Sequence, residues 1–445
     1  MRIRGRFRPG GFALAMALFL ILILATLSYG SLSIATLDSR TARENQRASQ
    51  AMYAARAGIA LALSKLSYDY NWTSGSGSLS EDAGAPTCSV QVVPAASNPT
   101  ETNKIWKVTS TGHYQEAQRR LSATVALESF ARFAYFTEQE FSIASTPIYF
   151  GNRDKLDGAV HTNGYFSIAG RPQFASRVTS ANTADSRYDS GRFSYNQEGI
   201  QYRPSRFYRT NTNYATDYPM ALDSSPDFSF AGGQSRIQMP TDTGEIRRRA
   251  NHSYDGTHEF KFRDDGTVQI RRRSGNRWVY VETIRTDTSP GVTIYAKGET
   301  WINGTVKGRV TFGATEDIHI NGNLVYENPN RDVLGIVGQK DLIVEASNSA
   351  VEDRYIHGVM MALNGSFRVA NYDSGTYRGI LHVYGGIIQA RRGPVGTFSG
   401  TTMRTGYTKN YVYDKKLANT PPLNFPTTGS LEIRSLIDHG SLGGA

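Results

Sequence analysis

The hydrophobic pattern of this chain is strongest at its N-terminus, where no charged residue occurs between Pro9 and Leu37. Arginines stand at positions 2, 4, 6 and 8, directly before this uncharged stretch. The stretch is longer than the roughly 20 apolar residues with which a helix crosses a bilayer. Basic residues before such a segment hold its N-terminal end in the cytoplasm. The pattern therefore predicts a membrane-inserted N-terminus, with the rest of the chain outside the cytoplasm.

The helical pattern continues beyond the apolar stretch, through a polar segment at 37–48 that has no glycine or proline. Small or apolar residues then recur at the spacing of one helical face: Ala54, Ala57, Gly58 and Leu61. We predict one helix over residues 12–66, on the order of 80 Å long at 1.5 Å per residue. Half of it would lie in the membrane, and its small side chains would let other helices approach closely.

Three interpretations fit this N-terminus. A secretory signal would be cleaved at the small-x-small motif Ser33-Ile34-Ala35, whereas a plain membrane anchor would stay uncleaved. The third interpretation rests on a resemblance, because a basic leader ending in glycine, an aromatic first mature residue and one long helix resemble a type IV prepilin. That resemblance implies that a prepilin peptidase cleaves between Gly11 and Phe12, so that residues 1–11 are the leader.

The rest of the helix narrows this resemblance. The segment from Thr36 to Gly58 is similar to PilX-type minor pilins and to the K-type pseudopilin of type II secretion. Major pilins carry glutamate as the fifth mature residue, where it meets the N-terminal amine of a neighbouring subunit, but here that residue is Met16. A carboxylate in lipid is costly without a partner. The resemblance therefore implies a minor, tip-proximal subunit whose residues 12–66 pack against other pilins.

Alternating apolar and polar residues after the helix predict antiparallel strands in three segments: Cys88–Val93, Ile105–Ser110 and Arg120–Leu127. A turn is expected at Gly112-His113 between the last two strands. The run Ser74–Ser78 has the composition of a loop. Packed on the C-terminal half of the helix, the strands would form a small pilin-like head over residues 67–128.

Beyond this head, short apolar segments are punctuated by Asn-Gly. The segments Trp301–Val306 and Ile318–Val325 are near-copies, 18 residues apart. Asn-Gly also forms two-residue hairpins, so an antiparallel meander is one interpretation. A short repeat of this length favours a β-solenoid-like core over residues 290–400, followed by a C-terminal segment at 401–445.

Residues 129–289 are predicted to be β-rich, with an irregular insertion at about 175–255. The segment Glu259–Arg271 has the pattern of a hairpin turned at Asp265-Gly266, and Arg277–Val281 has that of a third strand. The whole chain is therefore predicted to have an α+β fold that is mostly β. It combines a long N-terminal transmembrane or pilin helix, a small antiparallel pilin-like head and a large β-solenoid-like domain.

The C-terminal region carries a second resemblance, to an uncharacterised domain family of PilX-like exported bacterial proteins. Four segments carry it: Asp157–Gly164, Arg392–Phe398, Gly406–Asp414 and Pro421–Thr427. The resemblance covers most of residues 130–430 and implies no known chemistry. It therefore bears on the architecture and says little about activity.

Charge raises the question of nucleic-acid binding, because the net charge is +10. Loss of the leader arginines would reduce it to +6, a mild excess. Basic runs contact phosphates and aromatic rings stack on bases, so one group of residues is a candidate contact for DNA or another anionic surface. Its members are Arg247, Arg248, Arg249, Arg271, Arg272, Arg273, Arg277 and Trp278. Strand alternation would put Arg272 on the opposite face from Arg271 and Arg273, and a charged hairpin that protects a sheet edge is the alternative.

Catalytic patterns are weak in this sequence. A polysaccharide-active solenoid needs clustered carboxylates, and Asp317 and His319 share one strand face, while Glu316, Asp341 and Asp373 could approach them only through the fold. Neither His-x-x-Glu-His nor Gly-x-Ser-x-Gly occurs. With a single cysteine, Cys88, the chain can form neither an intramolecular disulfide nor a cysteine-based zinc cluster. We expect no enzyme activity, no metal and no cofactor.

These observations favour a minor pilin-like subunit of a type IV pilus or a related secretion fibre. Such a subunit resides in the inner membrane before assembly and then at the pilus or cell surface. Its large β domain would serve assembly, adhesion or DNA contact. A DNA-uptake pilin is the first alternative, and a secreted or membrane-anchored β-helix enzyme acting on polysaccharide is the second. The expected partners are a prepilin peptidase, other pilins, the inner membrane and, outside the cell, DNA or a surface glycan.

Overall fold

The computed structural model describes residues 10–94, 105–142, 235–346, 351–399 and 402–441, and a set of shorter stretches. These are 148, 150–151, 154–164, 166–169, 173–176, 178–181, 194–195, 200–202 and 230–231. Residues 1–9 of the predicted leader and much of the predicted irregular insertion lie outside the described residues.

Helices in the described residues are α1 (Gly10–Tyr68) and α2 (Gly244–Arg248), with 3₁₀ turns at Phe130–Arg132 and Lys415–Ala418. The strands before α2 are β1 (Ser74–Ser78), β2 (Thr87–Pro94), β3 (Ile105–Tyr114), β4 (Ala117–Ser129), β5 (Phe133–Gln139), β6 (Phe150–Gly151), β7 (Lys155–Asp157), β8 (Ala159–Thr162), β9 (Phe166–Ala169), β10 (Gln173–Phe174), β11 (Val178–Ser180), β12 (Ser194–Tyr195), β13 (Ile200–Tyr202) and β14 (Phe230–Ala231). The strands after α2 are β15 (His252–Asp255), β16 (His258–Phe262), β17 (Thr267–Ser274), β18 (Arg277–Arg285), β19 (Val292–Lys297), β20 (Thr300–Val306), β21 (Arg309–Ala314), β22 (Ile318–Tyr326), β23 (Val333–Gly338), β24 (Leu342–Val344), β25 (Arg354–Ala362), β26 (Phe367–Val369), β27 (Tyr377–Arg391), β28 (Gly396–Ser399), β29 (Thr402–Val412) and β30 (Thr427–Ser441).

The chain divides into two compact units. The first comprises residues 1–97, 105–126 and 431–445, and the second comprises 98–104 and 127–430. The second unit is therefore an insertion between β4 and β30, which are neighbours in one sheet.

The first unit combines α1 with a sheet whose described strands follow the order β1-β2-β3-β4-β30. Pairing from β1 to β4 is antiparallel, as predicted for the three segments that became β2, β3 and β4. The predicted turn at Gly112-His113 was wrong, because both residues pair within β3 and the turn lies at Gln115 and Glu116. Small and apolar side chains of the helix are buried in this unit: Ala51, Ala54, Ala55, Ile59, Ala62 and Leu66. Two glycines permit this close packing, because a Cβ on Gly112 would lie 2.0 Å from the Ala51 carbonyl oxygen and one on Gly58 2.1 Å from the Ser110 hydroxyl.

The prediction of a loop at Ser74–Ser78 was wrong. This run forms β1, in register with β2 from Ser74↔Gln91 to Ser78↔Thr87. Serine and glycine are poor strand formers, but pairing along a complete neighbouring strand overrides this weak local preference. The C-terminal strand β30 was also missed, because its partner β4 lies about 300 residues earlier in the sequence.

The second unit is built largely from parallel pairs. One series runs through β15, β19, β21, β23, β25 and β27, and another through β16, β20, β22, β24 and β26. The near-copies pair with each other from Thr300↔Ile318 onward, and both Asn-Gly dipeptides lie inside strands β20 and β22. The antiparallel interpretation is therefore wrong for these two dipeptides.

The predicted hairpin is confirmed. Strands β16 and β17 pair antiparallel around Asp265-Gly266, and β18 adds the third strand, with a bulge between Ile270 and Arg271. Side chains from all three strands, including Phe260, Ile270 and Ile284, join the core of the parallel ladder.

The order of the ladder departs from the order of the sequence. Strand β27 pairs next with β5, which is followed by β8, β11 and β14. One column of buried register partners runs from β19 to β11: Ile294, Phe312, Ile336, Met360, Ile387, Tyr135, Val160 and Val178. Strand β29 likewise pairs with β7 and β7 with β10. We name the place where β27 and β29 meet β5 and β7 the joint.

Two irregular segments, 235–251 and 413–426, cover the other side of the ladder. Their Met239, Ile246, Leu417 and Phe425 share a second core cluster with ladder residues such as Val337. Hydrogen bonds fix both segments: the backbone N–H of Ile237 donates to Asn163 Oδ1 over 3.0 Å, and Asn424 Nδ2 donates to Thr293 Oγ1 over 3.0 Å.

Candidate functional surfaces and a buried polar cluster

Helix α1 presents a long exposed apolar surface. Its side chains from Ala13 to Tyr29 are exposed, and Met16 is 54% exposed in this part of the helix. Within the described residues, α1 is the helix that is long and apolar enough to cross a membrane, over Ala13–Tyr68. Gly11 and Phe12 lie in the first turn of α1, and the side chain of Phe12 is outside the described set.

The structure puts the first arginine run in helix α2 and its C-cap. Ile246 of this helix packs in the second core cluster. Arg247 is exposed, Arg248 forms a 2.8 Å ion pair with Glu245, and Arg249 is the helix C-cap. The base of the β17–β18 hairpin packs in the first core cluster, that of the parallel ladder. The two predicted arginine runs therefore belong to elements that pack in different core clusters.

The second arginine run lies in β17, and its members have different surroundings. Arg271 forms an ion pair with Glu259, and the Arg273 guanidinium lies 5.3 Å from the centre of the Trp278 ring. The side chains of Arg272 and Arg277 are exposed and have no ion-pair or hydrogen-bond partner among the described residues. Arg272 therefore lacks partners of the kind that Arg271 and Arg273 have, in agreement with its predicted place on the opposite face of the strand.

Trp278 belongs to an aromatic column. Its ring meets Trp301 edge-on at 5.5 Å, and Trp301 stacks on His319 at 4.5 Å with an interplanar angle of 8°. His319 Nδ1 lies 2.7 Å from Glu345 Oε1. Only the Trp301 and His319 rings thus contact each other face to face, and Tyr280, 58% exposed, is the more accessible ring of the hairpin.

The four carboxylates considered for catalysis have different surroundings. Asp317 Oδ1 accepts a 2.9 Å hydrogen bond from the Asp341 N–H, and Asp341 accepts one of 2.8 Å from the Ser366 N–H. Glu316 forms an ion pair with Lys340. Asp373 lies exposed in a turn. The described residues contain no group of three or more histidine, cysteine, aspartate or glutamate side chains that could hold a metal ion.

A buried polar cluster lies at the joint, and sequence reasoning missed it. Glu140 and Arg392 form a 2.8 Å ion pair with side chains 0% and 4% exposed. Lys409 Nζ lies 2.9 Å and 3.1 Å from the two carboxylate oxygens of Asp154. Arg392 and Lys409 stand in two of the segments that carry the second resemblance, and this was the available signal.

Burial shapes the acid–base properties of the cluster. It raises the pKa of the Glu140 carboxyl, against the opposing effect of Arg392. It lowers the pKa of the Lys409 amine, against the opposing effect of Asp154. It also raises the pKa of Tyr135 and Tyr411, whose rings line the same cavity. Buried ionisable groups that interact this strongly are typical of structural ion-pair networks and of reactive sites.

Comparison with known proteins gives limited information. Residues 99–183 match a family described as a domain of unknown function (DUF4900), and this match includes the Asp157–Gly164 segment. The chain has no match among curated proteins. It aligns with the crystal structure of the competence-associated pilin ComZ from Thermus thermophilus over 88% of this chain and 98% of that one, with 13% identity and a TM-score of 0.29. A TM-score of this size does not establish a common fold.

Proposed function

We propose that this protein is a membrane-anchored, pilin-like subunit that carries an inserted β domain. One observation supports this most strongly. A single helix of 59 residues has an exposed apolar N-terminal half and a C-terminal half that packs through small residues on an antiparallel sheet. A helix of this kind can lie in the bilayer before assembly and against neighbouring helices afterwards.

The same proposal includes how the chain is processed, which class of pilin it belongs to and where it resides. A prepilin peptidase cleaves after Gly11, and Met16 at the fifth mature position marks a minor, tip-proximal subunit of the PilX type. The chain resides in the inner membrane and then at the pilus or cell surface, in a type IV pilus or a related secretion fibre. The sequence resemblance supports these points, together with the absence of a carboxylate at position 16.

We also propose a structural role for the inserted domain, with its parallel series forming a β-solenoid and no enzyme activity. Register partners repeat along the series, and the carboxylates Asp317 and Asp341 are engaged by backbone N–H groups. At one end of the series, the β16–β17–β18 sheet covers core residues, as the capping element of a repeat protein does.

Contact with an outside polyanion such as DNA is a second candidate function. The observation that favours it is the pair of exposed arginines Arg272 and Arg277, which share one face of the hairpin and have no ion-pair or hydrogen-bond partner among the described residues. Such a surface can provide phosphate contacts. A surface glycan is the alternative target.

The pilin-like function is tested by blocking cleavage in the native host. The variant Gly11→Val should stay unprocessed in the membrane and be absent from sheared fibres. The matched variant Gly10→Val changes the neighbouring glycine and should be processed and assembled like the wild type. Normal assembly of the Gly11 variant, or absence of the wild-type chain from every fibre fraction, would contradict the proposal.

A further inference from the structure

The polar cluster at the joint brings together the components of an amide-forming reaction. Lys409 comes from β29 and Asp154 directly precedes β7, and the two residues are 255 positions apart in the sequence. Their side chains are only 18% and 11% exposed. The Lys409 amine lies within 3.1 Å of both carboxylate oxygens, so the nucleophile and the electrophile are already in contact.

The surroundings of this pair are largely apolar and hold little water. Aromatic rings of Tyr135, Phe150 and Tyr411 line a cavity of about 10 Å³ beside it. A cavity of that size holds about one water molecule. Desolvation disfavours two separate charges, and it also lowers the pKa of the Lys409 amine, which increases its nucleophilicity.

A third group can carry a proton. Glu140 is fully buried in the same cluster and interacts electrostatically with Lys409. Burial raises the pKa of its carboxyl, so that it can hold and release a proton in this environment. Arg392 and Thr137 fix its position.

We propose that Lys409 and Asp154 condense spontaneously into an intramolecular isopeptide bond between Lys409 Nζ and Asp154 Cγ. The side chains first exchange a proton to give a neutral amine and a neutral carboxylic acid. The amine then attacks Cγ, the new C–N bond forms and one C–O bond breaks. The departing oxygen leaves as water, with Glu140 transferring the second proton from nitrogen to oxygen. One ammonium and one carboxylate thus become one amide and one water, without an oxidant or reductant.

Two effects favour condensation here. The reaction removes two charges from a largely buried site, where each ion carries a desolvation penalty. Fixed contact also replaces a bimolecular encounter, which can be equivalent to an effective concentration of about 10⁵ M or more. The bond would covalently connect the two sides of the joint, where neighbouring strands of the ladder are far apart in the sequence. This inference is independent of the pilin-like function.

The test is the intact mass of the purified full-length chain, followed by peptide mapping. We expect the mass to be lower than the calculated value by one water, trypsin to leave the bond after Lys409 uncut, and one branched peptide to contain Asp154 and Lys409. Lys409→Arg should restore the calculated mass, and Asp154→Asn should still crosslink, with loss of ammonia in place of water. A wild-type chain of calculated mass would overturn the proposal without any variant.

The chain also offers a matched control. Lys297 and Asp255 lie 2.9 Å apart, but their side chains are 45% and 75% exposed. They should remain unlinked, and their substitution should leave the mass deficit unchanged. A crosslink that maps to this pair, or to the adjacent Lys416 and Asp414, would contradict the assignment. Glu140→Gln should leave a fraction uncrosslinked, and complete crosslinking of that variant would overturn the role given to Glu140.

Discussion

At the residue scale, two glycines decide how closely the helix approaches its sheet. In a strand, glycine usually weakens packing, but here any side chain on Gly112 would collide with backbone atoms of Ala51 and Ala55. Of the four residues that sequence analysis assigned to one helical face, Ala54 and Gly58 are buried, whereas Ala57 and Leu61 are only half-buried.

We predict that Gly112→Ala destabilises the helix–sheet unit by about 1–3 kcal/mol, because overpacking forces the backbone to move. The measurement is the chemical denaturation midpoint of the purified chain. Gly30→Ala is the control, since a Cβ at that helical position meets nothing within 4 Å. Equal midpoints for the two variants would contradict the close-packing argument.

His161 links acidity to the stability of the inserted domain. It is 2% exposed, stacks on Phe136, and contacts Thr179 and Asn163 through its two ring nitrogens. Burial lowers its pKa from 6.5 to about 4. The folded state therefore binds this proton less readily than the unfolded state does. The stabilisation is present above pH 6.5 and is lost as the pH falls toward 4.

We predict that the free energy of unfolding falls over this window by up to about 3 kcal/mol from this residue, at about 1.36 kcal/mol per pKa unit. His161→Gln should flatten the acid limb of the stability curve, whereas His439→Gln, at an exposed position, should leave it unchanged. An acid limb that persists in the His161 variant would show that other groups cause it.

At the element scale, the β17–β18 hairpin combines a core-covering base with a basic tip. We predict that the full chain binds single-stranded DNA and that its affinity falls as the salt concentration rises. The slope of log affinity against log salt concentration should become shallower by about one unit for each of Arg272→Ser and Arg277→Ser. Arg248→Ser is the control, because this arginine is exposed but paired with Glu245. No binding at low salt would eliminate DNA as the partner, and equal losses in all three variants would eliminate the hairpin tip as the site.

Elements with a local signal could be predicted from the sequence. The long helix, strands β2 to β4 and the hairpin at Asp265-Gly266 each follow from periodicity or turn chemistry between neighbouring residues. Strand β1 could not, because only its partner makes the Ser-Gly run extended. The joint and its Asp154–Lys409 pair could not either, since its strands pair across about 250 residues. The second resemblance identified the segments that contain Arg392 and Lys409, but it did not show that these segments lie together in the fold.

At the scale of the whole molecule, the first and last residues of the inserted unit lie next to each other. The Phe130 N–H donates a 3.1 Å hydrogen bond to the Pro426 carbonyl, and Thr428 Oγ1 donates one of 2.8 Å to Glu128. Strands β4 and β30 then continue as neighbours. Domains whose ends lie close together tolerate excision and transplantation.

We predict that replacing residues 130–426 with a short glycine-containing turn leaves a folded helix–sheet unit. The shortened chain should accumulate in the membrane and be processed at the wild-type position, as followed by membrane fractionation and peptide mapping. A chain that lacks β30 as well should be less stable, because β4 then becomes an exposed edge. Degradation of the shortened chain to the same extent as the chain without β30 would contradict the insertion architecture.

If α1 begins a processed pilin-like subunit, the mature N-terminus of the chain is Phe12. Mass spectrometry of the N-terminal peptide, from the chain purified out of its native membrane, should find Phe12 as the first residue. Thr36 as the first residue would mean a secretory signal and loss of the membrane helix. An intact leader beginning at Met1 would mean a plain anchor, and either result would contradict the account.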